Sequence, residues 1–311
     1  LTGKLYEKLT VDSRAAFLRI RGDDASMARS TEGIWINMRN GMELSTSPRQ
    51  TGSFLAGRCF TIIAAVAVIC IGLPSQRATA GPPFITDDPE PVETGHGELY
   101  LSTIDNWARD GVSGTLPHVE FNYGPIENMQ LHVLAPMAYD RPNVADNLKY
   151  GYGDTEFGIK YRFIQEDQLF PGCPQVGTFP LVEFPTGDRN NGTGTGRAQF
   201  FLPVWMQKSW GEENRQWTVY GGGGYWFNPG AGNLNYGFVG VVLQKQLTDK
   251  LAVGGELNHS TVSARGQKDH TGLNLGCIYD FTEHWHALLS VGRDIHGSEL
   301  LTSYAGIQLT F

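Results

Sequence analysis

From about residue 97 to the end of the chain, apolar and polar residues alternate with a period of two. In Asp154–Arg162 the charged side chains share one face, and Thr155, Phe157, Ile159 and Tyr161 share the other. The last segment repeats this, with Ser303, Ala305, Ile307, Leu309 and Phe311 set against Tyr304, Gly306, Gln308 and Thr310. Side chains along a strand point alternately to its two faces, so this pattern predicts strands with one apolar and one polar face. Breaking the chain at turn signals gives twelve segments: 97–105, 113–123, 129–139, 151–163, 175–185, 198–209, 216–227, 235–246, 251–260, 271–280, 285–293 and 301–311. No stretch sustains a helical period.

A soluble β-sandwich would also bury one face of every strand. Other features point to a closed, antiparallel transmembrane β-barrel of about twelve strands over 97–311. The segment lengths suit tilted strands crossing a bilayer, and their number is even. Connections after even strands tend to be short (124–128, 211–215, 247–250, 281–284), whereas those after odd strands are polar and mostly longer (140–150, 186–197, 262–270). The stretch 164–174 is the exception, long where a short turn is expected. Only closure removes the unpaired edges that lipid does not tolerate. Aromatic residues gather at segment ends, as an interfacial belt requires: Tyr123, Trp210, Trp217 and Trp285 at one level, Trp107, Trp226, Phe227 and Tyr236 at the other. An even strand count places both ends in the periplasm, with the short turns there and the longer loops outside the cell.

The composition agrees with this picture. Gly is abundant, 39 of 311 residues, and charged residues are few, 18%. Residues 59–73 (CFTIIAAVAVICIGL) form the one long apolar run, preceded by Arg49 and Arg58 and followed by Pro74 and Ala78-Thr79-Ala80. At that length it falls short of a membrane-spanning helix and fits a signal peptide over 49–80, cut after Ala80. Residues 1–48 carry no sustained pattern and are expected to be an upstream extension, disordered or from a mis-assigned start. Ten basic and six acidic residues fall in 1–80, which leaves 14 and 26 beyond it and excludes a nucleic-acid binder. Residues 81–96 are expected to be a solvated acidic periplasmic lead. Two other states are open to this lead: a small plug inside the lumen, or oxygen ligands for Ca²⁺ from Thr86–Glu90. Export would permit a Cys173–Cys277 disulfide, although nothing brings the two together.

The stretch Gly81–Val92, leading into Gly95-His96-Gly97-Glu98-Leu99-Tyr100, resembles the start of a bacterial outer-membrane family labelled "MetA-pathway of phenol degradation". Leu116–Gly124, Gln130-Leu131-His132 running to Pro136, and Gly153-Asp154-Thr155-Glu156 with Lys160-Tyr161-Arg162 resemble it too. The resemblance covers most of 81–311. It implies an outer-membrane transporter barrel, carries no agreed site residues, and its phenol label describes genetic context rather than substrate.

With the apolar faces toward lipid, the pore-lining candidates are Glu98, His118, Glu120, His132, Asp154, Glu156, Lys160, Arg162, Glu183 and Glu256, joined by Asn258, Ser290 and Gln308. They suit either a charged constriction that selects solutes or an ion-pair network that stiffens a narrow barrel. The acid excess predicts cation preference. The expected activity is passive uptake of small solutes, aromatic or apolar ones among them, with no catalytic residue, cofactor or metal. The expected partners are outer-membrane lipid, the solute, and the assembly machinery reading the C-terminal Phe311. A closed structural or surface-interaction barrel is one alternative. A lipid hydrolase using His259 with Ser260 or Ser263 is another, although their order does not match the His-x-Ser-Asn-Gly pattern of the outer-membrane phospholipase. The Gly221–Gly224 run lacks the Lys-Ser/Thr and the helix of a phosphate loop, and is expected to allow a side chain of the next strand to approach.

Overall fold

The computed structural model describes residues 82–143 and 147–311; the upstream extension and the signal-peptide expectation lie outside them. The described chain is all-β apart from one short 3₁₀ turn at Glu213–Arg215. Its strands are β1 (Gly97–Ala108), β2 (Gly111–Ile126), β3 (Met129–Pro142), β4 (Lys149–Tyr152), β5 (Thr155–Ile164), β6 (Gln175–Thr178), β7 (Leu181–Phe184), β8 (Gln199–Trp210), β9 (Trp217–Phe227), β10 (Tyr236–Thr248), β11 (Leu251–Ser260), β12 (His270–Asp280), β13 (Trp285–His296) and β14 (Glu299–Thr310).

These fourteen strands make twelve staves. Both β4 and β5 pair with β3, and both β6 and β7 pair with β8, so each couple is one stave broken in the middle. Gly153-Asp154 makes the first break, and Phe179-Pro180 the second, where Pro180 has no N–H to give to the ladder. The alternation does not report such breaks, because it runs on through them. Every neighbouring pair is antiparallel, and β1 pairs with β14 as well as β2, so the sheet closes into a barrel. At the seam Gly97 and Phe311 exchange backbone hydrogen bonds of 2.7 and 2.9 Å.

The two faces of the barrel differ as the alternation requires. On β10, Val239, Val241 and Leu243 are exposed, and Gly240 and Val242 between them are buried. On β5, Phe157, Ile159 and Tyr161 point outward, and Lys160 points inward. The outside is therefore an apolar belt suited to lipid, and the inside carries the polar set. Trp210 and Trp217 pair directly across one turn and are exposed, as a belt requires.

Three expectations need correction. The lead is not solvated: from Gly95 it turns up into the barrel, where Pro83, Thr86, Asp88, Pro89 and Pro91 are buried. Trp226 and Tyr236 do not join the belt. They face inward, stack on each other at 6.0 Å, and Trp226 stacks on Phe201 at 4.7 Å. With Phe179, Trp205 and Phe238 they fill one side of the lumen as an aromatic core. Two connections after odd staves, at 109–110 and 297–298, are tight turns, because β1, β2, β13 and β14 all run further than the alternation marks. Cys173 and Cys277 are both free thiols.

The glycine run of β9 has the expected use. A Cβ at Gly224 would lie 2.6 Å from the Phe201 ring of the neighbouring strand, so only glycine leaves room for the aromatic core at that point.

Candidate functional site

The site is the lumen and the lead that enters it. The lead is anchored at its base, where Gly95 N donates to Gly124 O at 2.7 Å and Thr94 forms a bridge to Gly124. Above that it is held on several sides. Lys160 on β5 donates to Asp87 at 2.9 Å and lies 3.7 Å from Asp88. Glu90 accepts from Gln207 at 2.9 Å and from Gln175 at 3.3 Å, with Arg162 Nη1 3.9 Å away. Val92 N donates to Gln130 at 3.0 Å.

Further up, Glu256 on β11 accepts from Thr86 N at 2.6 Å and Thr86 Oγ1 at 2.7 Å on one oxygen, and from Ile85 N at 3.3 Å and Asn274 on the other. Ser290 donates to Pro83 O at 2.7 Å. The wall makes room for these contacts. A Cβ at Gly240 would overlap Thr86, and Cβ atoms at Gly254 and Gly276, which pair with each other, would each lie 3.0 Å from the Phe84 ring. Asp87 and Asp88 therefore meet an ammonium group rather than Ca²⁺. Asp88 lies in the lead rather than in a spanning strand, and burial pushes its carboxyl up to about 8 against the pull of Lys160.

Beside the lead, whose residues Pro82–Asp87 form part of its wall, lies a cavity of about 440 Å³. Glu98, His118, Glu120, His132, Glu156 and Lys160 all line it, so the structure brings six of the ten pore-lining candidates together. His132 sits between two carboxylates, with Nε2 3.0 Å from Glu156 and Nδ1 3.5 Å from Glu120. Asn122 orders both, donating to Glu120 at 2.8 Å and lying 2.8 Å from His132 Nδ1. Tyr100 donates to Glu98 at 2.7 Å. Thr115 lies 2.9 Å from His118 Nδ1. Phe179 closes the base of this group, edge-on to His132 and beneath the Lys160 ammonium at 5.1 Å.

The other four candidates do not line this cavity, although Glu183 faces Glu156 across the β5–β7 pair. Asp154, at the stave break, accepts from Gly187 N at 2.9 Å and from Thr195 N and Oγ1 at 2.6 and 2.7 Å, so it fastens the loop 185–198. Arg162 lies toward the turn end, donating to Asn128 at 3.1 Å and Gln175 at 3.0 Å. Glu183 accepts from Gln199 at 2.9 Å. Glu256 belongs to the anchor of the lead. Asn258 and Gln308 are buried inside, as alternation predicts.

Sequence reasoning missed Tyr100, Tyr304, Asn122 and Thr86. One signal was available for the lead: glycines at inward positions of three successive strands, Gly240, Gly254 and Gly276, mark a place where something packs close. His259 and Ser260 are consecutive strand residues and take opposite faces, with Ser260 buried inside. They make no Ser/His pair.

No family model and no curated protein matches the chain. Among solved structures it is similar to an outer-membrane channel from Pseudomonas putida F1, at 15% identity and a TM-score of 0.60, over 75% of this chain and all of that one. Two further structures, a KdgM porin in complex with disordered oligogalacturonate and a NanC porin, match with TM-scores of 0.44 and 0.43 at 10% identity, each covering 68–70% of this chain and 98–99% of the other. The fold of this chain is that of an outer-membrane β-barrel.

Proposed function

We propose that the chain is an outer-membrane channel through which small solutes diffuse, with its own lead as an internal stopper. The observation that carries this reading is a cavity of about 440 Å³, lined by charged side chains, inside a closed barrel with an apolar outer face. A purely structural barrel has no use for such a space, and here the aromatic core and the lead together leave it unfilled. The turn end, where the lead enters and the last strand finishes, faces the periplasm, and the loop end faces the medium. Tyr100, Ile104, Leu134 and Tyr304 supply an apolar part of the cavity wall, which supports solutes with an apolar or aromatic portion. The phenol-degradation transporter family remains the reading of the motifs in 81–162. Phe311, paired at the seam and packed against Phe121 at 6.4 Å, is in a position to serve as the residue that the assembly machinery reads.

The test is single-channel recording of the folded barrel in planar bilayers under asymmetric salt. The expected result is a small steady conductance with a cation-selective reversal potential. Silence from both the native chain and a Lys160→Met variant, each verified as a heat-modifiable folded barrel, would overturn the channel reading.

A further inference from the structure

The charges around the cavity do not balance. Lys160 is the one Lys or Arg among its lining residues, and its ammonium is already engaged by Asp87 and Asp88 of the lead. His132, if protonated, offsets one of its two carboxylate neighbours, Glu120 and Glu156. That leaves Glu98, the second of those two carboxylates, and Glu299 without a fixed cation in the cavity; Tyr100 donates to Glu98, Asn122 to Glu120 and Thr302 to Glu299, and the other lining histidines, His118 and His270, lie against Thr115 and Asp294. Neutral donors satisfy these carboxylates without cancelling their charge, so the cavity favours a positive guest.

The rest of the wall defines the kind of cation. Among the described residues no three His, Cys, Asp or Glu side chains are placed to hold a metal ion. The carboxylates are spread around a space of about 440 Å³, a volume in the range of small-molecule sites. Between them stand Tyr100, Ile104 and Tyr304, apolar surface for the body of a guest. The Tyr304 hydroxyl is buried with the Ser102 side chain beside it, and it keeps an acceptor lone pair that suits an N–H⁺ donor.

We infer that this cavity binds a small organic cation, a protonated amine with an apolar or aromatic body. The ammonium lies against the carboxylate side and donates to Glu98 and to Glu120 or Glu156. The body packs on the Tyr100–Tyr304 side. The inference depends on the channel reading only for how the guest arrives.

Calorimetric titration of the detergent-purified barrel with 2-phenylethylammonium, 2-phenylethanol and 3-phenylpropionate tests it. The ammonium should bind at least about tenfold more tightly than the alcohol, and the carboxylate should show no binding. Glu98→Gln and Glu120→Gln should each weaken the ammonium about tenfold and leave the alcohol unchanged, and added salt should weaken it in the native barrel. Equal affinity for all three probes, or ammonium binding insensitive to salt and to both substitutions, would overturn the site. Conductance of the same preparations separates the two readings. Binding without conductance removes the channel and keeps the site, and conductance without binding does the reverse.

Discussion

Glu256 and Thr86 stand 170 residues apart in sequence and meet inside the barrel, where one carboxylate oxygen accepts from both the backbone N–H and the hydroxyl of Thr86. Both residues are almost wholly buried, at 1% exposure each. A buried carboxylate with this many donors is a strong anchor, because it loses the three from Ile85 and Thr86 together if the lead withdraws. With Lys160 on the facing side of the lead, Glu256 fixes its height in the lumen.

Removing the Lys160 charge should free the lead. Lys160→Met leaves Asp87 without its cation, and breaking a buried pair in this way costs about 3–5 kcal/mol. The ratio of seated to released lead should fall by at least about a hundredfold. Single-channel currents should rise, and the barrel should stay heat-modifiable. Unchanged currents would show that the lead does not limit passage.

Gly240→Val should displace Thr86 by steric overlap alone, without touching a charge. The lead carries Glu93 as a site for a glutamyl endopeptidase, since Pro91 blocks cleavage after Glu90. Cleavage there should be slow in the native barrel and fast in the variant, read as loss of N-terminal fragments on mass spectrometry.

The seated lead should respond to pH through Asp88. Its carboxyl is raised by burial from 3.8 to about 8 in the seated state, and on release it returns to its ordinary value. Seating therefore takes up a proton between those two values. Lowering the pH through about 8 toward 4 favours the seated state, and raising it favours release, by up to about tenfold per pH unit. Conductance should increase from pH 5 to pH 9, and Asp88→Asn should flatten the dependence. A profile unaffected by that substitution would assign the titration elsewhere.

Phe201→Ala should weaken the barrel itself. Phe201 is buried against Trp226 and Trp205, and truncating such a ring costs about 3–5 kcal/mol. The temperature at which the folded, fast-migrating form is lost on gels should drop clearly, and channel currents should become noisier.

Much of the fold was legible because strand alternation is a local property. Most of the twelve staves show their faces in a window of a few residues, and closure follows from the need to pair every edge in lipid. The inward positions of Glu98, Glu120, His132, Glu156 and Lys160 follow from the same parity. Parity was lost where it had nothing to act on. Four glycines precede Tyr225, so the run gives no side chains to count, and Trp226 reads as belt although it points inward. On β10 both faces are apolar, with Tyr236 and Phe238 inside and Val239 and Val241 outside, so alternation is invisible there. The sequence by itself determined the number of staves and, where alternation is clean, which side chains enter the lumen, because both depend on neighbours in the chain. Only the tertiary structure decided that the acidic lead rises into the barrel. That outcome rests on Lys160, Glu256 and the inward glycines, partners brought together by barrel closure and separated in sequence by roughly 70 residues or more.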